Sequence, residues 1–182
     1  MLNAFAIEND SIVKPQIRSS AIAIANLKTT QNHYIKCTYG QPLKKGRQVF
    51  GGLVPYDKLW RTGANEATEI TFTSNFKIGD TSLPAGTYTL FTIPSKDNWT
   101  IILNSVLGQW GDFTYDAAKD VLRFETTSAK NENIYEGFTI EFEEKKSIIN
   151  LKLLWDNTVV IIPIELIGEI NHSKLKKKRK KK

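Results

Sequence analysis

The segment from Arg61 to Glu66 holds the side chains of this sequence best suited to acting on a ligand. Arg61 could bind a carboxylate or sugar hydroxyls, Asn65 offers both a donor and an acceptor, and Glu66 could act as a general base. The alternative is structural, with Arg61 and Glu66 pairing with each other or with loop carbonyls. A single glutamate without a second positioned carboxylate is weak evidence for catalysis. Glu66 is therefore the one candidate for a catalytic residue, but the sequence alone does not assign it a catalytic role.

Aromatic side chains near this segment could form a stacking surface, because a ring face packs against the apolar face of a sugar. Large aromatic residues also fill protein cores, so both interpretations stay open. Arg47 is a further candidate for contacting an anion, with a solvated surface loop as its alternative. The predicted ligand-binding residues are Arg47, Tyr56, Trp60, Arg61, Asn65, Glu66, Trp110 and Tyr115.

Side chains for metal or nucleophilic chemistry are few. The chain has one cysteine, Cys37, and two histidines, His33 and His172, without familiar metal-ligand spacing. Cys37 lies in an alternating apolar segment, which predicts a buried structural thiol rather than a nucleophile. No phosphate-binding glycine loop and no Gly-x-Ser-x-Gly motif is present. We therefore predict no metal and no cofactor.

The segments around these residues have the period of two that is typical of β-strands. His33, Ile35, Cys37 and Tyr39 alternate with polar neighbours until Gly40 and Pro42 end the strand, and Val121–Thr126 and the Phe138–Phe142 region read as two further strands. Asp156-Asn157 predicts a tight hairpin turn. About nine short strands, with no helix long enough for a crossover, predict an all-β fold. We expect an antiparallel β-sandwich of jelly-roll type with a long ordered loop at 40–68, and a partly open barrel is the alternative.

Composition and charge predict one domain with two polar ends. A hydrophobic share of 41% and a charged share of 24% are ordinary for a globular protein. The last nine residues hold eight of the 25 basic residues, which leaves 17 against 19 acidic residues in the rest of the chain. We predict an N-terminal strap at 1–19, a single domain at 20–170 and a disordered basic tail at 171–182. The tail would attract polyanions, but no specific nucleic-acid fold is indicated.

The N-terminus predicts export. Ala4-Phe5-Ala6 followed by polar residues resembles the end of a cleaved secretory signal, which indicates a periplasmic or envelope location. The alternative is a cytoplasmic protein with a frayed N-terminus, and an N-terminal peptide from the native host distinguishes the two. No apolar run reaches the roughly 18 residues of a membrane helix, so no transmembrane segment is expected.

Several long motifs resemble a known family. They are KKGRQVFGGLVPYDKLWRTGANEAT, LPAGTYTLFTIP, NWTIILN, QWGDFTYDAAKDVLRF and FTIEFE, spread over residues 20–145. Together they resemble the bacterial domain of unknown function 2911, whose members are similar to exported proteins of Bacteroidota-like bacteria. The resemblance implies no activity and no catalytic residues, and the C-terminal run of lysines departs from it.

Three functions are compatible with these observations. The first is an exported, non-catalytic protein that binds a small polar ligand or glycan through the loop around Arg61 and Glu66. The second is an envelope carbohydrate hydrolase that uses Glu66 with a second carboxylate, for which Asp57, Asp112, Asp116 and Asp120 are candidates. The third is a structural or assembly module without a ligand. The sequence does not specify the oligomeric state.

Overall fold

A computed structural model describes residues 18–167 of the protein. The predicted signal cleavage site, most of the predicted strap at 1–19 and the predicted basic tail at 171–182 lie outside the described residues. Within residues 18–167 there is no helix long and apolar enough to cross a bilayer.

The described residues form nine β-strands in a single antiparallel sheet, so the prediction of an all-β fold is confirmed. The strands, in chain order, are β1 Ala21–Lys28, β2 Tyr34–Gln41, β3 Thr68–Phe72, β4 Asn75–Ile78, β5 Thr81–Leu83, β6 Gly86–Pro94, β7 Asn98–Asn104, β8 Asp120–Lys145 and β9 Ile148–Ile167. Their order in the sheet is β1-β2-β3-β6-β7-β8-β9-β4-β5, with β1 and β5 at the ends. A short 3-10 helix at Ala117–Lys119 precedes β8.

The long strand β8 connects two halves of the sheet. Its first part, through Thr127, pairs with β7, and its remainder pairs with β9. The two halves pack face to face, as the contact between Tyr39 of β2 and Phe138 of β8 shows, with ring centroids 5.5 Å apart. Phe72 of β3 stacks on Phe76 of β4 at 3.7 Å. The main core therefore lies between the halves, as expected of a sandwich, and a second, smaller cluster contains Ala67, Phe91 and Ile102.

Two local predictions about the long strands are wrong. The segments Val121–Thr126 and Phe138–Phe142 belong to one strand of 26 residues, and β9 runs for 20 residues through Asp156-Asn157. Asp156 does have a positive φ of 53°, but it lies where the β8–β9 register shifts. The extra residues of this irregular stretch belong to β8, which runs from Lys130 to Thr139 while β9 runs only from Leu154 to Thr158, so Asp156 lies opposite a bulge in β8 and does not form a hairpin turn. The turn between these strands lies at Lys146, whose φ is 57°.

Alternation predicts the buried face of β2 correctly. Ile35, Cys37 and Tyr39 are buried, and the polar residues between them are half-buried. Gly40, however, belongs to β2 rather than ending it. The long ordered loop predicted at 40–68 is confirmed, since the chain between β2 and β3 contains no named strand or helix.

Candidate functional site

The loop between β2 and β3 is fixed to the sandwich by a buried tryptophan. Trp60 is 7% exposed and exchanges backbone hydrogen bonds with Thr92 of β6, at 2.8 and 2.9 Å. Its indole Nε1 donates to the carbonyl of Gly63 at 3.0 Å. Its ring stacks on Trp155 of β9 at 5.9 Å. Because a large aromatic side chain buries much apolar area, Trp60 holds the middle of the loop in place.

Backbone hydrogen bonds hold both ends of the loop, and a side-chain ion pair adds to them at the first end. Lys44 N donates to the carbonyl of Glu136 at 2.7 Å, and Lys44 Nζ lies 2.5 Å from Asp156 Oδ1. Near the other end, Ala64 N donates to the carbonyl of Gly40 at 3.1 Å. A Cβ at Gly40 would lie 1.9 Å from the carbonyl oxygen of Ala64, so only glycine permits this approach.

A cleft of about 470 Å³ opens between the loop and the sheet. Its walls combine apolar residues with three cations, Lys45, Arg47 and Arg61, and with the carboxylate of Asp112. The remaining lining residues are Ser19, Ser20, Pro42, Leu43, Leu53, Val54, Pro55, Leu59, Trp60, Gly63, Ala64 and Trp155. The cleft exposes polar as well as apolar surface, and a concave site in which a few charged groups converge is a common form of small-molecule site.

Arg61 is the one cation of the cleft with an unsatisfied buried donor. Its Nε is buried and has no hydrogen-bond partner within residues 18–167. Its backbone is fixed, because Thr68 N donates to the Arg61 carbonyl at 3.1 Å. A buried donor without a partner costs free energy unless a ligand or water satisfies it. The Arg61 guanidinium is thus suited to receive an acceptor from the cleft.

Arg47 and Lys45 are both exposed, and the Arg47 side chain is held by two backbone carbonyls. Arg47 Nε donates to the Lys44 carbonyl at 3.0 Å and Nη2 to the Leu43 carbonyl at 2.8 Å. These contacts leave its positive charge without a carboxylate partner, and Lys45 likewise forms no ion pair among the described residues. The cleft is therefore lined by three cations and one carboxylate, and this excess of positive charge favours anions.

Glu66 pairs with Arg18 and not with Arg61. Arg18 Nη1 donates to Glu66 Oε1 at 2.8 Å, and Nη2 donates to Oε2, which makes the pair bidentate. The hydrogen bond from Arg18 lowers the pKa of the Glu66 carboxyl, and its positive charge acts in the same direction. Glu66 lines a separate groove of about 220 Å³ with Ile22, Glu69 and Gln109. The structure thus places Arg61 and Glu66 in different depressions.

The other predicted residues are dispersed. Asn65 has a φ of 65°, and its carbonyl accepts from Gly111 N at 2.9 Å. Tyr56 lines a third depression with Asp57. Trp110 is 59% exposed, and its backbone forms an isolated β-bridge with Glu66. Tyr115 packs on Phe91 at 5.1 Å. Of the predicted set, only Arg47, Trp60 and Arg61 line the cationic cleft.

Three of the four aspartates proposed as second carboxylates are engaged elsewhere. Asp57 Oδ1 accepts from Ser95, Asp116 Oδ1 caps the 3-10 helix through Ala118 N at 2.9 Å, and Asp120 Oδ2 accepts from Tyr115 at 2.6 Å. Asp112 lines the cleft with Arg61. Glu69 shares the groove of Glu66, but it accepts from Gly108 N at 2.9 Å.

Cys37 and His33 are both buried. Cys37 is 0% exposed, and burial raises the pKa of its thiol. His33 Nδ1 lies 2.5 Å from Ser74 Oγ. Between residues 18 and 167, no three His, Cys, Asp or Glu side chains are grouped to bind a metal ion.

Sequence comparisons agree with the motif resemblance. A family model described as a protein of unknown function, DUF2911, matches residues 20–164. No curated protein and no solved structure matches the chain.

Proposed function

Since the chain belongs to the family of unknown function DUF2911, which brings no activity with it, we propose from the cleft alone that the protein binds a small anionic ligand. The ligand carries a carboxylate or a similar planar anion that the Arg61 guanidinium binds. The apolar walls accept its body, as they would the ring of an acidic sugar.

The unpartnered Nε of Arg61 carries this proposal. An arginine side chain offers its donors in a planar fork that fits a carboxylate, so the guanidinium of Arg61, which lines the cleft, can bind an anion there. Lys45 and Arg47 add positive charge on the same cleft. Non-catalytic binding is favoured over hydrolysis, because Glu66 lies outside this cleft and Arg18 occupies both of its carboxylate oxygens.

The test is calorimetric titration with a matched pair of sugars. Glucuronate and glucose differ at one carbon, which bears a carboxylate in the first and an alcohol in the second. We expect heat of binding from glucuronate only. Arg61→Lys keeps the charge and removes the fork, so it should weaken binding about tenfold or more, and Arg61→Ala should abolish it.

A guanidinium outside the cleft supplies the control. Arg123 contacts Tyr115 and Asp120 instead of the cleft, so Arg123→Lys should bind glucuronate as the native chain does. Equal weakening by Arg61→Lys and Arg123→Lys would indicate a general charge effect. If glucuronate, simple carboxylates and phosphate all fail to bind the native chain, the proposal is wrong.

A further inference from the structure

Strand β1 is an open end of the sheet. Among the described residues it forms a ladder only with β2, and it approaches β8 without pairing with it, so the backbone groups on its other side belong to no described ladder. The side chains of Ile22 and Ile24 are 55% and 60% exposed on its outer face. Apolar side chains and free backbone groups together form the kind of edge that pairs with another strand.

The opposite end of the sheet has the protection that β1 lacks. Strand β5 has three residues and lies between Asp80 and Pro84. Short length, charge and proline are devices that prevent edge-to-edge pairing. The segment Ala21–Ala25 has no charge, no proline and no register shift against β2. The difference between the two ends indicates that β1 has a partner.

The sequence of this edge is a palindrome. Residues 21–25 read Ala-Ile-Ala-Ile-Ala, with Ala23 at the centre. In an antiparallel pair of two such strands centred on Ala23, Ala21 lies opposite Ala25, and Ile22 lies opposite Ile24 of the other copy. A two-fold axis perpendicular to the sheet generates this arrangement and keeps equivalent faces on the same side.

We propose that two copies of this chain associate through antiparallel pairing of their β1 strands, centred on Ala23. Four isoleucines, Ile22 and Ile24 from each copy, then form one apolar patch on the outer face. On the inner face the side chains at the contact are those of Ala21, Ala23 and Ala25, which are small enough to cause no clash. The two sheets become one continuous sheet.

The charges near the strand are compatible with this register. Lys28 is the charged residue of β1, and in the dimer it lies opposite Arg18 of the other copy. The Arg18 charge is neutralised by Glu66 in a bidentate pair, so two unpaired cations are not brought together. The contact involves a five-residue strand, which predicts a weak, concentration-dependent dimer rather than a permanent one.

The experiment is analytical ultracentrifugation of the full chain from about 5 to about 500 µM. We expect the dimer fraction of the native chain to rise over this range. Ile22→Lys with Ile24→Lys places like charges across the axis and should raise the dissociation constant at least about tenfold. Ile22→Lys with Ile24→Glu places opposite charges across the axis and should retain the dimer. Ile134→Lys is the control, because Ile134 is 71% exposed on β8, away from the edge.

Several outcomes would overturn the proposal. These are a native chain that stays monomeric over the whole range, a double-lysine variant that dimerises normally, and a lysine–glutamate variant as weak as the double-lysine one. Hydrogen exchange of the native chain gives a test without substitutions. Protection of the β1 amides should increase with concentration. Unchanged protection while the mass doubles would place the interface elsewhere.

Discussion

Single residues in this protein acquire their roles from partners far away in the sequence. Glu66 and Arg61 are five positions apart and look like a natural pair, yet Glu66 binds Arg18, 48 residues earlier. Only the three-dimensional fold brings Arg18 to Glu66, so no local pattern could reveal the contact. The predicted aromatic side chains likewise do not share one surface, since Trp60 is buried in the core and Trp110 is exposed. Arg47 and Arg61, chosen because their planar donors suit anions, do line one cleft, and their binding of a ligand stays a prediction.

The Arg18–Glu66 pair makes a measurable prediction. The hydrogen bond from Arg18 lowers the pKa of Glu66, so the pair stabilises the folded protein at neutral pH and loses this contribution as pH falls through the lowered value. In Arg18→Ala the pKa of Glu66 should return to the ordinary range near 4.3. NMR titration of the Glu66 carboxyl carbon measures it.

Arg47 provides the control for this titration. Its guanidinium donates to the carbonyls of Leu43 and Lys44 rather than to a carboxylate, so Arg47→Ala should leave the Glu66 titration unchanged. Equal pKa values for Glu66 in the native chain and in Arg18→Ala would show that the pair does not form in solution.

At the scale of elements, alternation located the strands but not their continuity. The period of two indicates which face of β2 is buried, because side chains alternate across the sheet. It does not distinguish two strands from one long bulged strand. The pattern therefore predicts two strands where β8 is one, and a hairpin turn where β9 continues. Asp156 has the left-handed backbone of a turn residue, but it lies within β9 opposite the bulge in β8. The chain does not reverse there, because β8 continues alongside and pairs with β9 again on both sides of the irregular stretch.

The loop between β2 and β3 depends on its close approach to Gly40. A Cβ there would meet the Ala64 carbonyl oxygen at 1.9 Å and its carbon at 2.8 Å, and both are backbone atoms that cannot rotate away. Gly40→Ala should therefore lower the free energy of unfolding by about 2–4 kcal/mol, measured by urea denaturation. Because the loop must shift, this variant should also bind anions less tightly.

Gly86→Ala is the matched control. The nearest atom to a Cβ at Gly86 is Tyr88 Oη at 3.5 Å, which is an ordinary contact. Its free energy of unfolding should change by no more than about 1 kcal/mol, in either direction. If Gly40→Ala were as stable as Gly86→Ala, the loop would not pack on β2 as described.

On the scale of the whole molecule, the cleft and the proposed dimer edge are neighbours. Ser19 and Ser20, which line the cleft, immediately precede β1. Pairing of β1 with a second copy would therefore fix the chain at one wall of the cleft. Such an arrangement would couple ligand binding in the cleft to dimer formation, since a ligand that orders this wall of the cleft also favours the paired strand.

The core between the two halves of the sheet makes Cys37 a reporter of global unfolding. Burial raises the pKa of its thiol, so the thiol stays protonated in the folded protein while it ionises in the unfolded chain above about pH 8.5. The unfolded state then binds fewer protons, and stability falls as pH rises. Between about pH 8.5 and 10 this decline should approach 1.4 kcal/mol per pH unit. Urea denaturation at several pH values measures this decline in the free energy of unfolding. Cys37→Ala should be less stable at every pH, but its stability should lack the part of the decline that the thiol causes. Equal slopes in the two proteins would mean that the native thiol is accessible to water, which contradicts a closed core.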